Sequence, residues 1–253
     1  MAKSSKVWKI LNIVLPALCI LMLLGIFGLR FMANTINLIT TWLQGWEYVF
    51  TVMFFNVAHP LLLLGATAIL AIIFLAGKFN VKPFTRLVLA IVILFAATRI
   101  VSNSVSLIHE IVLGNPFSIW GRYIGWIVAF LFLLVLAIVP LAMGQKNLVG
   151  KIFFVIPLLF IFVIECIDVA GFIRSMVALS KYDIELTWDG WIYYISHITA
   201  DFMAMGAVFL LGATAFLLKY PENKPKEVPA EPEPEPVVEE EQPEEKPIEE
   251  PAE

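Results

Sequence analysis

Charged and hydrogen-bonding side chains interrupt stretches of this sequence that are otherwise apolar. They are Asn56 and His59 before Pro60, then Arg99, Asn103, Ser106 and Glu110, then Glu165, Asp168 and Arg174, and finally His197 and Asp201. A carboxylate or cation at the centre of a membrane helix costs about 2.5–3.5 kcal/mol, so such groups turn toward a cavity or toward one another. The spacing of Arg99, Asn103, Ser106 and Glu110 predicts one polar helical stripe, and Glu165, Asp168 and Ser175 are expected to form another. His197 and Asp201 stand one turn apart. Acids, arginines and imidazoles in this arrangement can bind an ion or a small polar solute, or relay protons. The competing expectation is mutual neutralisation, with Arg99 or Arg174 paired to Asp168, Asp201 or Glu165 so that the charges only hold helices together.

Other chemistries find little support. His59, His109 and His197 have no partner histidine three or four residues away, and Cys19 and Cys166 each sit alone in an apolar run. Neither a metal site, nor a disulfide, nor a haem is predicted, and no cofactor is expected. The sequence has no HExxH and no GxSxG, and His109 beside Glu110 fits a solvated helix end better than a catalytic dyad, so an intramembrane enzyme is the least supported of the functional classes. Nothing in it points to nucleic acid.

The elements that must carry these side chains follow from hydropathy. The chain has 253 residues, 60% of them hydrophobic, and a mean hydropathy of +0.88, more than a water-soluble core absorbs. Crossing a hydrocarbon layer takes roughly 20 helical residues. Six stretches qualify, near 10–33, 49–76, 85–112, 122–143, 152–178 and 192–218, which predicts an all-α, polytopic membrane protein with six transmembrane helices. Residues 1–219 form the membrane domain in this reading, embedded in the lipid bilayer. Residues 220–253 form a disordered, acidic, Pro/Glu-rich tail; from Pro221 onward it carries 13 acidic and 3 basic side chains, leaving the body at +6 within an overall charge of −4.

Lys3, Lys6 and Lys9, then Lys78, Lys82 and Arg86, then Lys146 and Lys151, and finally Lys219, Lys224 and Lys226 fall on alternate loops. Cationic loops resist translocation, which predicts both termini in the cytoplasm; the plasma membrane is the expected site. Arg30, Arg122 and Lys181 are then the cations of the outward loops, where Trp42, Trp46, Trp120, Trp126, Trp188 and Trp191 also gather. The acidic tail would suit a basic protein partner or serve only as a solvating extension. Gly121 and Gly125 make a GxxxG that would fit oligomerisation or a close contact within the monomer.

Two internal echoes suggest three parallel helical hairpins. Arg30 to Ile39 resembles Arg99 to Ile108, and Leu64-Gly65-Ala66-Thr67-Ala68 recurs at Leu211-Gly212-Ala213-Thr214-Ala215. On that period Arg174 is the third member of a set with Arg30 and Arg99. The function expected is that of a transporter-like or ligand-binding protein whose outward-facing cavity, lined by the second, third, fifth and sixth helices, takes a small polar or amphipathic solute. The alternative is a membrane scaffold or sensor that recruits partners through its tail.

Overall fold

A computed structural model of the protein describes residues 2–43, 50–76, 81–143, 148–182 and 185–217, and their side chains apart from those of 2–9, 50 and 81–83. The acidic tail, Lys78, Lys146 and Trp46 lie outside the described residues, as do the side chains of Lys3, Lys6, Lys9 and Lys82. The described chain is all-helical: α1 (Ala2–Leu43), α2 (Phe50–Leu75), α3 (Val81–Val112), α4 (Phe117–Met143), α5 (Leu148–Lys181) and α6 (Trp188–Leu217). Each is long and apolar enough to cross a membrane, and the protein is an integral, multi-pass membrane protein. Consecutive helices run antiparallel and touch in chain order, and α6 closes the ring against α1. The end where α1 begins and α6 finishes is called proximal below, and the opposite end distal.

The hydropathy segments land on these helices, with one large difference. α1 was expected to end near residue 33 but runs 42 residues to Leu43, about 63 Å at about 1.5 Å per residue. Asn34, Thr35, Asn37, Thr40 and Thr41 lower the hydropathy there without ending the helix. The Thr35 hydroxyl donates to the Phe31 carbonyl at 2.7 Å and that of Thr40 to the Ile36 carbonyl at 3.0 Å, so their polar groups are satisfied along the helix itself. Arg30, expected in an outward loop, is therefore inside the bundle.

Other ends follow local rules. α3 stops where Gly114 takes φ = 73°, the left-handed conformation that glycine adopts without a Cβ penalty. The Asn115 N–H then reaches back to the Glu110 carbonyl at 3.1 Å, closing a Schellman-type cap.

The helices are held at close range by reciprocal small–large contacts. A Cβ on Gly25 of α1 would lie 2.5 Å from the Met203 methyl of α6, and one on Gly206 of α6 would lie 3.0 Å from the Met22 methyl of α1. Cys19 and Thr214 meet in the same seam, Sγ to Oγ1, at 3.6 Å. Small residues at such seams let helix axes approach and recover van der Waals contact where lipid gives no hydrophobic drive. The repeated pentapeptides place Thr67 and Thr214 alike: both are fully buried, donating to Leu63 at 2.8 Å and to Leu210 at 2.6 Å. α4 is the most peripheral span, with Ile124, Val128, Phe132, Val135 and Ile138 exposed. Gly125 has open space around it, whereas a Cβ on Gly121 would meet the Phe117 ring at 3.1 Å.

Candidate functional site

Near the middle of α1, α5 and α6, Arg30, Glu165 and Asp201 form a fully buried junction, at 3%, 1% and 1% exposure. One guanidinium nitrogen, Nη2 of Arg30, donates to Glu165 Oε2 and also to Asp201 Oδ1, the latter at 2.6 Å. Sequence reasoning paired the acids with Arg99 or Arg174; Arg30 takes that role because α1 continues past it. The visible signal was the shared Arg-x-x-x-Asn pattern of Arg30/Asn34 and Arg99/Asn103. Asp201 Oδ2 is buried and has no hydrogen-bond partner among the described residues.

On the proximal side the junction borders an apolar cavity of about 60 Å³, walled by Leu23, Phe27, Val88, Phe95, Leu158 and Val208 among others. Such a space favours neither water nor charge. On the distal side it borders a polar cavity of about 180 Å³ lined by Arg30, Asn34, Asn56, His59, Arg99, Asp168, Phe172, Tyr193, His197 and Asp201. Five helices contribute, α1 being the addition to the four expected.

The walls of the polar cavity are fixed by a hydrogen-bonded chain across helices. Pro60 has no N–H to give to the carbonyl one turn earlier, that of Asn56, and the Asn34 amide of α1 donates to it instead at 3.0 Å. That choice orients Asn34, whose oxygen accepts from His197 Nε2 of α6 at 3.1 Å. The Asn56 side chain accepts from Ser102 of α3 at 2.9 Å. The Thr98 hydroxyl donates to the Leu94 carbonyl at 2.7 Å and meets His59 Nδ1 at 2.5 Å. That contact holds the Nδ1 edge of the imidazole against α3 and leaves Nε2 on its other edge. That nitrogen is buried without a partner among the described residues.

Arg99 stands apart from this closure. Its guanidinium lies 5.7 Å from the centre of the Phe95 ring, within cation–π range, and its Nε is buried without a partner among the described residues. Neither Arg99 nor Asp168 makes an ion pair with any described residue, although both line the polar cavity. Phe172 stacks on His197 with ring centres 5.1 Å apart, and Tyr193 lies 4.6 Å from the same imidazole.

A further polar cavity of about 310 Å³ shares Asn56 and Arg99 with the first and extends distally past Ser102, Asn103, Ser106, His109, Glu110 and Tyr123. The α3 stripe thus faces one continuous polar region. Within it the Asn103 amide donates to the Arg99 carbonyl at 2.7 Å, and the Glu110 carboxylate accepts from Asn115 at 2.5 Å.

The α5 stripe is corrected. Arg174 and Ser175 are exposed, Ser175 donating to its own helix at Gly171, 3.0 Å away. Arg174 is nine residues from Glu165, roughly two and a half turns, and so points to the opposite face. Of the three echoed arginines, Arg30 and Arg99 line the polar cavity and Arg174 does not. Among the described residues, no three histidine, cysteine or acidic side chains cluster as metal ligands.

No family model, no curated protein and no solved structure matches this chain.

Proposed function

We propose that the protein is a transporter-like membrane protein that receives a small polar or amphipathic solute in the cavity between Arg30, Arg99, Asp168 and Asp201, with both termini in the cytoplasm of a cell whose plasma membrane it spans. The carrying observation is the uncommitted pair of charges, Arg99 and Asp168, lining one polar cavity whose other walls are hydrogen-bonded into place. A pair kept only as glue would touch, because separation weakens the attraction while most of the desolvation cost remains. The Arg30 junction caps the cavity floor above an apolar gap, an arrangement suited to a gate. Polar residues on the distal side of that junction support access from outside.

The reading is tested in vesicles containing the protein, by solute uptake and by lipid movement between leaflets. Asp168→Asn and Asp201→Asn should both slow whichever process the protein supports; unchanged rates in both remove the cavity from the mechanism. Access is tested separately with Asn56→Cys in a Cys166→Ala background. An impermeant thiol reagent added to intact cells should label it, and labelling only after permeabilisation would reverse the orientation.

The 13 acidic and 3 basic residues beyond Tyr220 favour a second reading, a scaffold recruiting basic partners. Truncation after Lys219 would then abolish capture of such partners from detergent extracts while the membrane domain stays folded.

A further inference from the structure

The groups around the polar cavity are mismatched in a patterned way. Among the described residues Arg99 offers donors with no acceptor in contact, Asp168 offers a carboxylate that no cation touches, and Asp201 Oδ2, on a residue only 1% exposed, is a buried acceptor without a donor. Opposite charges inside a membrane attract strongly, since the surrounding dielectric is low. Arg99 on α3 and Asp168 on α5 nonetheless form no ion pair, while the same bundle brings Arg30 onto two acids at once. The difference is positional: α1, α5 and α6 converge at the junction, whereas about 180 Å³ of cavity is bounded by α3 and α5 with their neighbours.

Resting on the reading above, we propose that the gap between Arg99 and Asp168 binds a small zwitterion, its oxyanion on the Arg99 guanidinium and its ammonium between Asp168 and the unpartnered oxygen of Asp201. A planar guanidinium suits a carboxylate or a phosphate through paired N–H bonds. An ammonium is served by two carboxylates and by the faces of nearby rings, and Phe172 and Tyr193 line the same wall. One molecule carrying both charges answers both mismatches; an anion alone leaves Asp168 and Asp201 unanswered, and a cation alone leaves Arg99 so. Two sources share this chemistry, a free α-amino acid and the phosphoethanolamine headgroup of a lipid.

The test uses the full chain purified in detergent, with binding read by calorimetry. Glycine and glycerophosphoethanolamine are the zwitterionic probes, acetate and methylammonium the half-probes, and phosphatidylethanolamine against phosphatidylglycerol the lipid pair. At least one zwitterion should bind roughly tenfold or more tightly than either half-probe, alone or mixed. Arg99→Gln and Asp168→Asn should each weaken it by roughly tenfold to a hundredfold, with Arg99→Lys intermediate. Glycine alone marks the soluble source; glycerophosphoethanolamine and phosphatidylethanolamine mark the lipid. Half-probes equal to zwitterions, unaltered binding by the variants, or no zwitterion bound at all would each overturn the proposal. The comparison among probes on the parent chain decides the matter even if a variant fails to fold. Uptake that persists for another solute and still depends on Asp168 and Asp201 would sink the zwitterion alone; uptake indifferent to both acids would sink the cavity reading with it.

Discussion

Arg30 and Arg99 begin the same local pattern, each followed four residues later by an asparagine, and each reaches the same cavity. One is ion-paired through Nη2 with Glu165 and Asp201, although its Nε, like that of the other, finds no partner among the described residues; the other meets a phenylalanine ring and the cavity. A charge answered by the fold contributes to holding three helices in register. A charge left without a contact of its own holds no helix in register directly, and on the reading proposed above it meets a ligand. Depth does not separate the two, since both are well inside the span; the convergence of neighbouring helices does.

Four substitutions probe this contrast by equilibrium unfolding in detergent, the largest effect first. Arg30→Leu strands two buried carboxylates and should cost about 3–5 kcal/mol, most of it regained when Glu165→Gln and Asp201→Asn are added. Asn34→Leu removes the donor to the Asn56 carbonyl and the acceptor of His197 Nε2, for about 1–3 kcal/mol. Pro60→Ala in that background should recover part of the loss, because the new N–H can bond the Asn56 carbonyl; no recovery would mean that the carbonyl is satisfied otherwise. Thr98→Val releases His59 Nδ1 and should cost about 1 kcal/mol. Arg99→Gln should change stability by less than about 1 kcal/mol or raise it. A loss as large as that of Arg30→Leu would erase the distinction between the two arginines.

The six helices were legible because spans of this hydropathy have few alternatives, and the polar positions because they stand out against apolar neighbours. Pairing was not legible, for two physical reasons. Hydropathy reads side-chain type, so the run of Asn and Thr residues after Arg30 looked like a loop, although their hydroxyl and amide groups find partners on α1 itself, α2 and α6. Helical phase drifts as well: Asp168 stays near the buried face of Glu165, but by Arg174 the helix has turned it outward. That the Asn56 carbonyl needs an outside donor could have been read from sequence alone, since a proline inside a span frees the carbonyl one turn earlier. What no single sequence reveals is which neighbouring side chain answers it.

The polar cavity and its junction are walled by two arginines, Arg30 and Arg99, and by three acids, Glu165, Asp168 and Asp201. The formal charges of these five side chains sum to −1, close to the middle of α5 and α6 and partway through the voltage drop across the membrane. A unit charge crossing the full drop exchanges about 2.3 kcal/mol per 100 mV, so a proton or cation reaching this depth feels about half of that. A neutral zwitterion adds nothing to the electrical work by itself. On the reading proposed above, a proton or cation that answers this odd carboxylate would bring a dependence on membrane potential even to the uptake of a neutral zwitterion.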